Sequence, residues 1–294
     1  MSDSLEVLTQ IIRQGEALVD CRSRSEFIEQ HCMGSVNIPA STLFDRMHEL
    51  PVKSATIHLI LDQSSQASAL QFFNERHFKI GHQFDWCALT SLSHFMASSL
   101  LETGAENTKF WRPAPFIEQA IQNLTTECDS QKQILDVACG SGRDAIYLAM
   151  LGHQVYGVDY SATALARAQR TAEHYETQAH WAQLDLEKEL ASTGHIQLPN
   201  DFPAAFDLVI VCRYLHRPLL PLIKGWLKPG GVVAYQTFLV GCEKISSPRN
   251  PNFLLEPGEL ASVFSDFTIK RNAVEWLADG RPMSAFVAQK PYNV

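Results

Sequence analysis

The chain has 294 residues, 46% hydrophobic and 19% charged, with 24 Lys and Arg against 32 Asp and Glu for a formal net charge of −8. That length favours two domains of ordinary globular composition, and negative charge spread along the chain argues against a broad phosphate-binding surface and so against nucleic acid as partner. The opening MSDSLEVLTQ lacks a basic segment followed by a long apolar one, and no apolar run approaches the ~20 residues that span a bilayer, so a cytoplasmic protein without membrane contact is expected.

In the first hundred residues ALVDC (17–21) and TIHLILD (56–62) have strand character, while SEFIEQH (25–31), TLFDRMHEL (42–50) and QASALQFFNERHF (66–78) carry apolar residues at helical spacing. A small α/β domain is expected here. Within it, LVDCRSRSEFIEQHCMGSVNIP sets Asp20, Arg22, Glu26, Phe27, His31, Gly34, Asn37 and Pro39 in a D-x-R, E-F, H-x-x-G-S-x-N-I-P order. This segment resembles the rhodanese-like family over about residues 5–85. The resemblance implies that the strand TIHLIL leads into a loop headed by a cysteine, whose persulfide the loop amides would hold. Here that position is Asp62, followed by Gln63, Ser65 and Ala67 where the family has arginine and glycine. A carboxylate does not replace a thiolate nucleophile, so residues 1–104 are expected to form a catalytically inactive rhodanese-like domain. Cys32 and Cys87 do not head a loop after a strand and are expected to be bystander thiols.

ASSLLETGAENTK (97–109) has little strand character, and Pro113 and Pro115 then open an amphipathic helix, which sets a domain boundary near residue 105. A regular alternation follows: strand 134–138, helix 143–151, strand 154–158, helix 162–175, strands 179–184 and 206–212, helix 218–227, strand 231–237. Such alternation predicts right-handed crossovers and a parallel sheet covered on both faces. EPGELASVF supplies one more helix, and FTIKRNAVEWL and RPMSAFVAQK read as a terminal antiparallel hairpin turned at Asp279-Gly280. The seven cysteines, at 21, 32, 87, 128, 139, 212 and 242, form no Cys-x-x-Cys pair and no close Cys/His quartet. Neither a metal site nor a disulfide framework is expected.

Between the strand ILDVA and the helix that follows lies Gly140-Ser141-Gly142-Arg143-Asp144-Ala145, a G-x-G-x-x-A turn, with Asp159 about twenty residues on. The same pattern serves dinucleotide dehydrogenases. Asp136 before the turn and Asp144 in the first helical turn would repel a pyrophosphate, whereas they suit a ligand with a cationic amine and sulfonium, S-adenosylmethionine. Asp144 taken alone reads as a helix-terminus acid, since acids are common in first turns. Asp136, Asp159 and Asp185 each stand at the carboxyl end of a successive strand, the edge at which open α/β sheets bind ligands.

Together ILDVACGSGRDAIYLA, VYGVDYSATAL, QLDLE, FDLVIVCRYLHRPLL and WLKPGGVVAYQTF resemble class I S-adenosylmethionine-dependent methyltransferases over roughly residues 110–290, in particular the tellurite-resistance and thiol methyltransferase-like branch. The resemblance implies a Rossmann-like seven-stranded sheet whose last strand is antiparallel, in a methyltransferase domain of residues 105–294. It further implies that Asp136, Gly140 and Gly142 line the methionine end, Asp159 the ribose, and Asp185 with Leu186 the adenine, with Ala138, Cys139, Tyr160 and Cys212 beside them.

Methyl transfer is an in-line displacement in which positioning supplies much of the catalysis, and a base is needed only when the acceptor arrives protonated. The loop CRYLHRPLL offers Arg213, Tyr214 and His216 as catalytic candidates: His216 as general base or as a backbone-satisfied neighbour of a helix start, and Arg213 or Arg217 as anion clamps or surface arginines. Tyr235, Gln236, Phe238 and Arg249 read as pocket or as packing. The leading expectation is a methyltransferase using S-adenosyl-L-methionine on a small-molecule acceptor, with the front domain structural or substrate-positioning and a homo-oligomer left open. Rhodanese-linked sulfur handling and non-catalytic cofactor binding are the alternatives.

Overall fold

The computed structural model describes residues 2–51, 53, 55–96, 98–104, 113–125, 130–277 and 279–292. The chain divides into two compact units, Met1–Trp111 and Arg112–Val294. The boundary expected near residue 105, and Cys128, lie outside the described residues.

The first unit runs α1 (Ser2–Gln14), β1 (Ala17–Asp20), α2 (Arg24–Glu29), β2 (His31–Cys32), β3 (Val36–Asn37), β4 (Thr56–Leu61), α3 (Gln66–Glu75), β5 (Lys79–Asp85), α4 (Trp86–Thr90), α5 (Ser93–Met96) and β6 (Leu101–Glu102). Strands β3, β1, β4 and β5 form a parallel sheet in that order, and β2 pairs antiparallel with β6. The helix expected over residues 42–50 is replaced by two short 3-10 turns, Ala40–Thr42 and Met47–Glu49. Buried Arg46 explains the difference: it donates to both carboxylate oxygens of Glu49 at 2.7 Å and to the Asn37 carbonyl at 3.2 Å, which ties the segment to β3.

The rhodanese-like sequence pattern is a buried scaffold. Arg22 donates to Asp20 Oδ2 at 2.6 Å and to the Gln30 carbonyl at 2.9 Å, and its guanidinium lies 3.6 Å from the centre of the Trp86 ring. Burial pushes the Asp20 carboxyl above its ordinary range and Arg22 pulls it back. Asn37 donates to the carbonyls of Asp20 and Arg22, and His31 stacks on Phe27.

The second unit runs α6 (Pro115–Thr125), β7 (Gln133–Val137), α7 (Arg143–Met150), β8 (Gln154–Asp159), α8 (Ala162–His174), β9 (His180–Gln183), α9 (Leu186–Thr193), β10 (Phe206–Cys212), α10 (Leu220–Gly225), β11 (Leu227–Phe238), α11 (Glu259–Val263), β12 (Thr268–Trp276) and β13 (Pro282–Gln289). Its seven strands are ordered β12-β13-β11-β10-β7-β8-β9; β13 is antiparallel to both neighbours, in agreement with the expected terminal hairpin and reversed last strand. Alternate residues explain why both faces are covered: Val209 and Val211 of β10 join one core with Leu135, Val233 and Phe264, while Leu208 and Ile210 join another with Ile134, Phe116 and Leu148. Chain direction across the sheet reverses between β7 and β10, so the loops after these strands part and leave a crevice at their carboxyl ends.

Gly142 opens that crevice and tolerates no side chain. Its φ is +73°, and an added Cβ would stand 2.7 Å from the Trp181 ring and 2.9 Å from Ala168 Cβ. Gly194 has a matching φ of +74° but nothing within 4 Å. Gly194→Ala is therefore expected to cost about 1–2 kcal/mol, and Gly142→Ala about 2–5 kcal/mol because overpacking is added to left-handed strain. Urea unfolding of both variants checks this, and equal losses would contradict it.

Candidate active site

The turn from β7 into α7 is built from left-handed backbone at Ala138, Gly140 and Gly142, with φ of 56°, 56° and 73°. It is held from below. Cys139 N–H donates to the Val158 carbonyl at 3.0 Å, and Gly140 N–H donates to Asp159 Oδ2 at 2.8 Å. The other oxygen of Asp159 accepts the Ser161 N–H at 2.9 Å, so one buried carboxylate fixes both the glycine loop and the start of α8.

A cavity of about 500 Å³ lies at these strand ends, within the ~300–1,000 Å³ usual for small-molecule sites. Ala138, Asp159, Tyr160, Asp185 and Leu186 line its end over β7, β8 and β9. Asp185 is exposed and caps α9 through the Lys188 N–H, Leu186 is buried, and Tyr160 is open to solvent. Asp136, Cys139, Gly140, Gly142 and Cys212 are not among the residues that line the cavity; Asp136 and Gly142 are buried, and Cys139, Gly140 and Cys212 are half-buried. Burial, reinforced by the nearby Asp144 charge, raises the Asp136 carboxyl well above its ordinary value, and burial likewise raises the thiols of Cys139 and Cys212.

Asp144 is not a free charge facing the ligand. It accepts the Ala114 N–H at 2.7 Å and pairs with Arg143, which joins α7 to the segment entering α6. Repulsion of a pyrophosphate therefore cannot be assigned to this residue. The cavity lining itself makes the distinction: at the β7–β9 end its charged members, Asp159, Asp185 and Glu187, are all acidic.

The opposite end, over β10, β11 and β13, is lined by Arg213, Tyr214, Phe238, Pro248, Phe253 and Arg281. Burial and then the neighbouring Glu187 raise the Tyr214 phenol, which makes it a hydrogen-bond donor and not a base. His216 lies outside the lining, its Nδ1 4.0 Å from Glu187. Arg217 is not available to a substrate: Glu259 holds it at 2.6 and 2.9 Å, and it also donates to the Asn252 and Leu254 carbonyls. Tyr235 is buried with its hydroxyl on the Tyr214 carbonyl, and Gln236 donates to Glu275. Sequence reasoning passed over Glu187, Phe253 and Arg281. Glu187 sits two residues after Asp185, in the first turn of the helix that Asp185 caps, a signal legible in the sequence, whereas Arg281 and Phe253 reach the cavity only through the fold.

Residues 134–231 match the methyltransferase domain family, and residues 4–87 match the rhodanese-like domain family. The chain carries a methyltransferase domain behind a rhodanese-like domain. An uncharacterized protein of Schizosaccharomyces pombe is 23% identical over 99% of this chain and 98% of its own, so the similarity runs through both domains. The chain is 25% identical to TehB of Haemophilus influenzae, a probable S-adenosyl-L-methionine-dependent methyltransferase, over 46% of each chain. It is 30% identical to a ubiquinone biosynthesis O-methyltransferase of Albidiferax ferrireducens, over 45% of this chain and 57% of that one. The chain thus spans about half the length of these last two relatives.

In the rhodanese-like domain, Asp62 follows β4 and turns inward on its own loop, where Oδ1 accepts the Ser65 N–H and the Ser64 hydroxyl, both at 2.8 Å. Burial opposes its ionisation, but these hydrogen bonds outweigh burial and hold the carboxyl below its ordinary value. Cys32 is buried, which pushes its thiol up to about 12, and Cys87 is exposed on α4. Among the described residues no group of His, Cys, Asp or Glu could hold a metal ion, and no helix is long and apolar enough to cross a membrane.

The raised Asp136 carboxyl has a signed consequence for the methyltransferase domain. A folded-state pKa above the unfolded one favours the fold at low pH, and that contribution is lost as pH rises through the folded value. An amide stays neutral throughout. Asp136→Asn is therefore expected to stabilise the ligand-free protein at pH 8 and to give a shrinking gain toward pH 5, read as urea midpoints. A gain that grows as pH falls would contradict the assignment.

Proposed function

We propose that the methyltransferase domain moves the methyl group of S-adenosylmethionine to a small-molecule acceptor, with the cofactor over β7–β9 and the acceptor over β10, β11 and β13. The observation that carries this reading is one continuous cavity whose charged lining is acidic at the first end and contains two arginines at the second. A diphosphate would find no cation at the first end, whereas an amine, a ribose and an adenine find acceptors and an apolar wall. Each carboxylate oxygen has two acceptor sites, so Asp159 can receive ribose hydroxyls while keeping its bonds to Gly140 and Ser161. Asp185 and Leu186 offer a polar edge and an apolar face for the base.

Bound S-adenosylmethionine supplies an electrophilic methyl carbon: an acceptor lone pair forms the new bond, the C–S pair returns to sulfur, and S-adenosylhomocysteine leaves. The protein's contribution is to hold the acceptor in line and exclude water. Tyr214 donates a hydrogen bond, and Glu187 beside it is the carboxylate nearest to hand for any proton the acceptor releases. His216 acts, on this geometry, behind Glu187 and not on the acceptor.

The rhodanese-like domain serves as a structural or substrate-positioning module. Asp62 fills with its own carboxylate the amides that would otherwise face a persulfide. Sulfur transfer then has no nucleophile in the loop.

Calorimetry on the full chain is expected to show binding of S-adenosylmethionine and S-adenosylhomocysteine and none of nicotinamide dinucleotides; the reverse preference would overturn the assignment. Asp159→Ala is expected to weaken S-adenosylhomocysteine binding by about 1.5–3 kcal/mol, the scale of lost charge-assisted hydrogen bonds. Thiocyanate release from thiosulfate and cyanide is expected to be undetectable in the native protein and in Asp62→Cys. Robust release abolished by Cys32→Ser or Cys87→Ser would show that sulfur transfer survives on another thiol.

A further inference from the structure

We propose that the methyl acceptor is an organic acid, its carboxylate held by Arg213 and its body packed against Phe238, Pro248 and Phe253. The inference rests on the reading of the cavity as a methyltransferase site and names what its second end selects.

The arginines around the cavity divide sharply. Arg143 is held by Asp144, Arg217 by Glu259, and Arg281 by Asp279 and the Ser247 carbonyl. Arg213 lines the cavity, yet its guanidinium has no hydrogen bond or ion pair among the described residues. Its surroundings disfavour its charge, first through burial and then through the cation Arg143, with Arg281 adding to the same effect. Arg213 is nevertheless exposed and water screens its charge, so what it offers is a guanidinium at the cavity that no carboxylate already holds and that a ligand anion can engage.

Backbone geometry points the same way. Arg213 has φ of +57°, left-handed for a residue with a Cβ, while its N–H is fixed to the Gln236 carbonyl at 2.8 Å. Glycine would occupy this position without strain, so the chain carries a guanidinium side chain here at a backbone cost. Ala138, at the end of the adjacent strand β7, has the same backbone sign and also lines the cavity. Strain thus collects where the cavity's two ends meet. The planar guanidinium matches a carboxylate with two parallel hydrogen bonds, and the surrounding Phe238, Phe253 and Pro248 favour an apolar body over a bare inorganic ion.

The test uses calorimetry on the full-length protein saturated with S-adenosylhomocysteine, titrated with matched acids and amides: benzoate and benzamide, phenylacetate and phenylacetamide, hexanoate and hexanamide. Sodium selenite and sodium sulfate serve as inorganic probes. At least one acid is expected to bind about tenfold or more tightly than its amide, the scale of one charge-assisted hydrogen bond. In Arg213→Gly that preference is expected to fall below about threefold, while the Kd for S-adenosylhomocysteine holds and Tm is unchanged or raised. Arg213→Gln provides a second variant should the glycine form fold poorly. No acid preference in any pair, a preference that survives both substitutions, or Arg213-dependent binding of selenite or sulfate alone would overturn the inference. Failure of S-adenosylhomocysteine itself to bind would instead overturn the reading of the cavity on which it rests.

Discussion

The candidate site depends on the carboxylate of Asp159. By accepting the N–H of Gly140 from one strand's turn and the N–H of Ser161 from the next, it locks two βα turns together at the sheet edge. The glycine loop can then keep left-handed backbone at Ala138, Gly140 and Gly142, and the Trp181 ring can pack where a Gly142 side chain would stand. Neither feature is stable in an isolated loop, because left-handed residues cost energy that surrounding contacts must offset. The same carboxylate borders the cavity, so scaffold and ligand contact share one residue.

Charge is then distributed by what each group has already bound. Asp144 and Arg143 satisfy each other, and Arg217 with Glu259 fastens the β10 loop to α11. The cavity is faced by acids at the β7–β9 end, by Tyr214 between, and at the other end by Arg281, which Asp279 holds, and by Arg213, whose guanidinium is unpaired among the described residues. The proposed division of labour, cofactor at the acidic end and acceptor at the cationic one, follows from which charges line each end and not from the total count of charges.

That distinction also explains how much was legible in the sequence. Strand alternation and the Asp279-Gly280 turn carried the sheet and its reversed last strand, because β-strand and hairpin patterns are local. Asp159, Asp185, Arg213 and Tyr214, which line the cavity, were legible as strand-end residues for the same reason, each standing at or just past the end of a recognisable strand. Arg217 looked as free as Arg213 because its partner Glu259 lies 42 residues on, and Asp144 looked free because Ala114 lies 30 residues back. Arg281 and Phe253 were illegible as site residues, since only the return of β13 and the segment after β11 brings them to the cavity. The 3-10 turns in place of the helix at 42–50 arise similarly from Arg46 reaching Asn37.

The central claim is that the cavity at the strand ends is where S-adenosylmethionine and acceptor meet. A crystal structure of the full chain with S-adenosylhomocysteine tests it most directly. The account predicts ligand density with the ribose on Asp159, the adenine between Asp185 and Leu186, and the sulfur directed toward the end that holds Arg213 and Tyr214. Density outside this cavity, or within it with the adenine against Arg213 and Phe253, would contradict it.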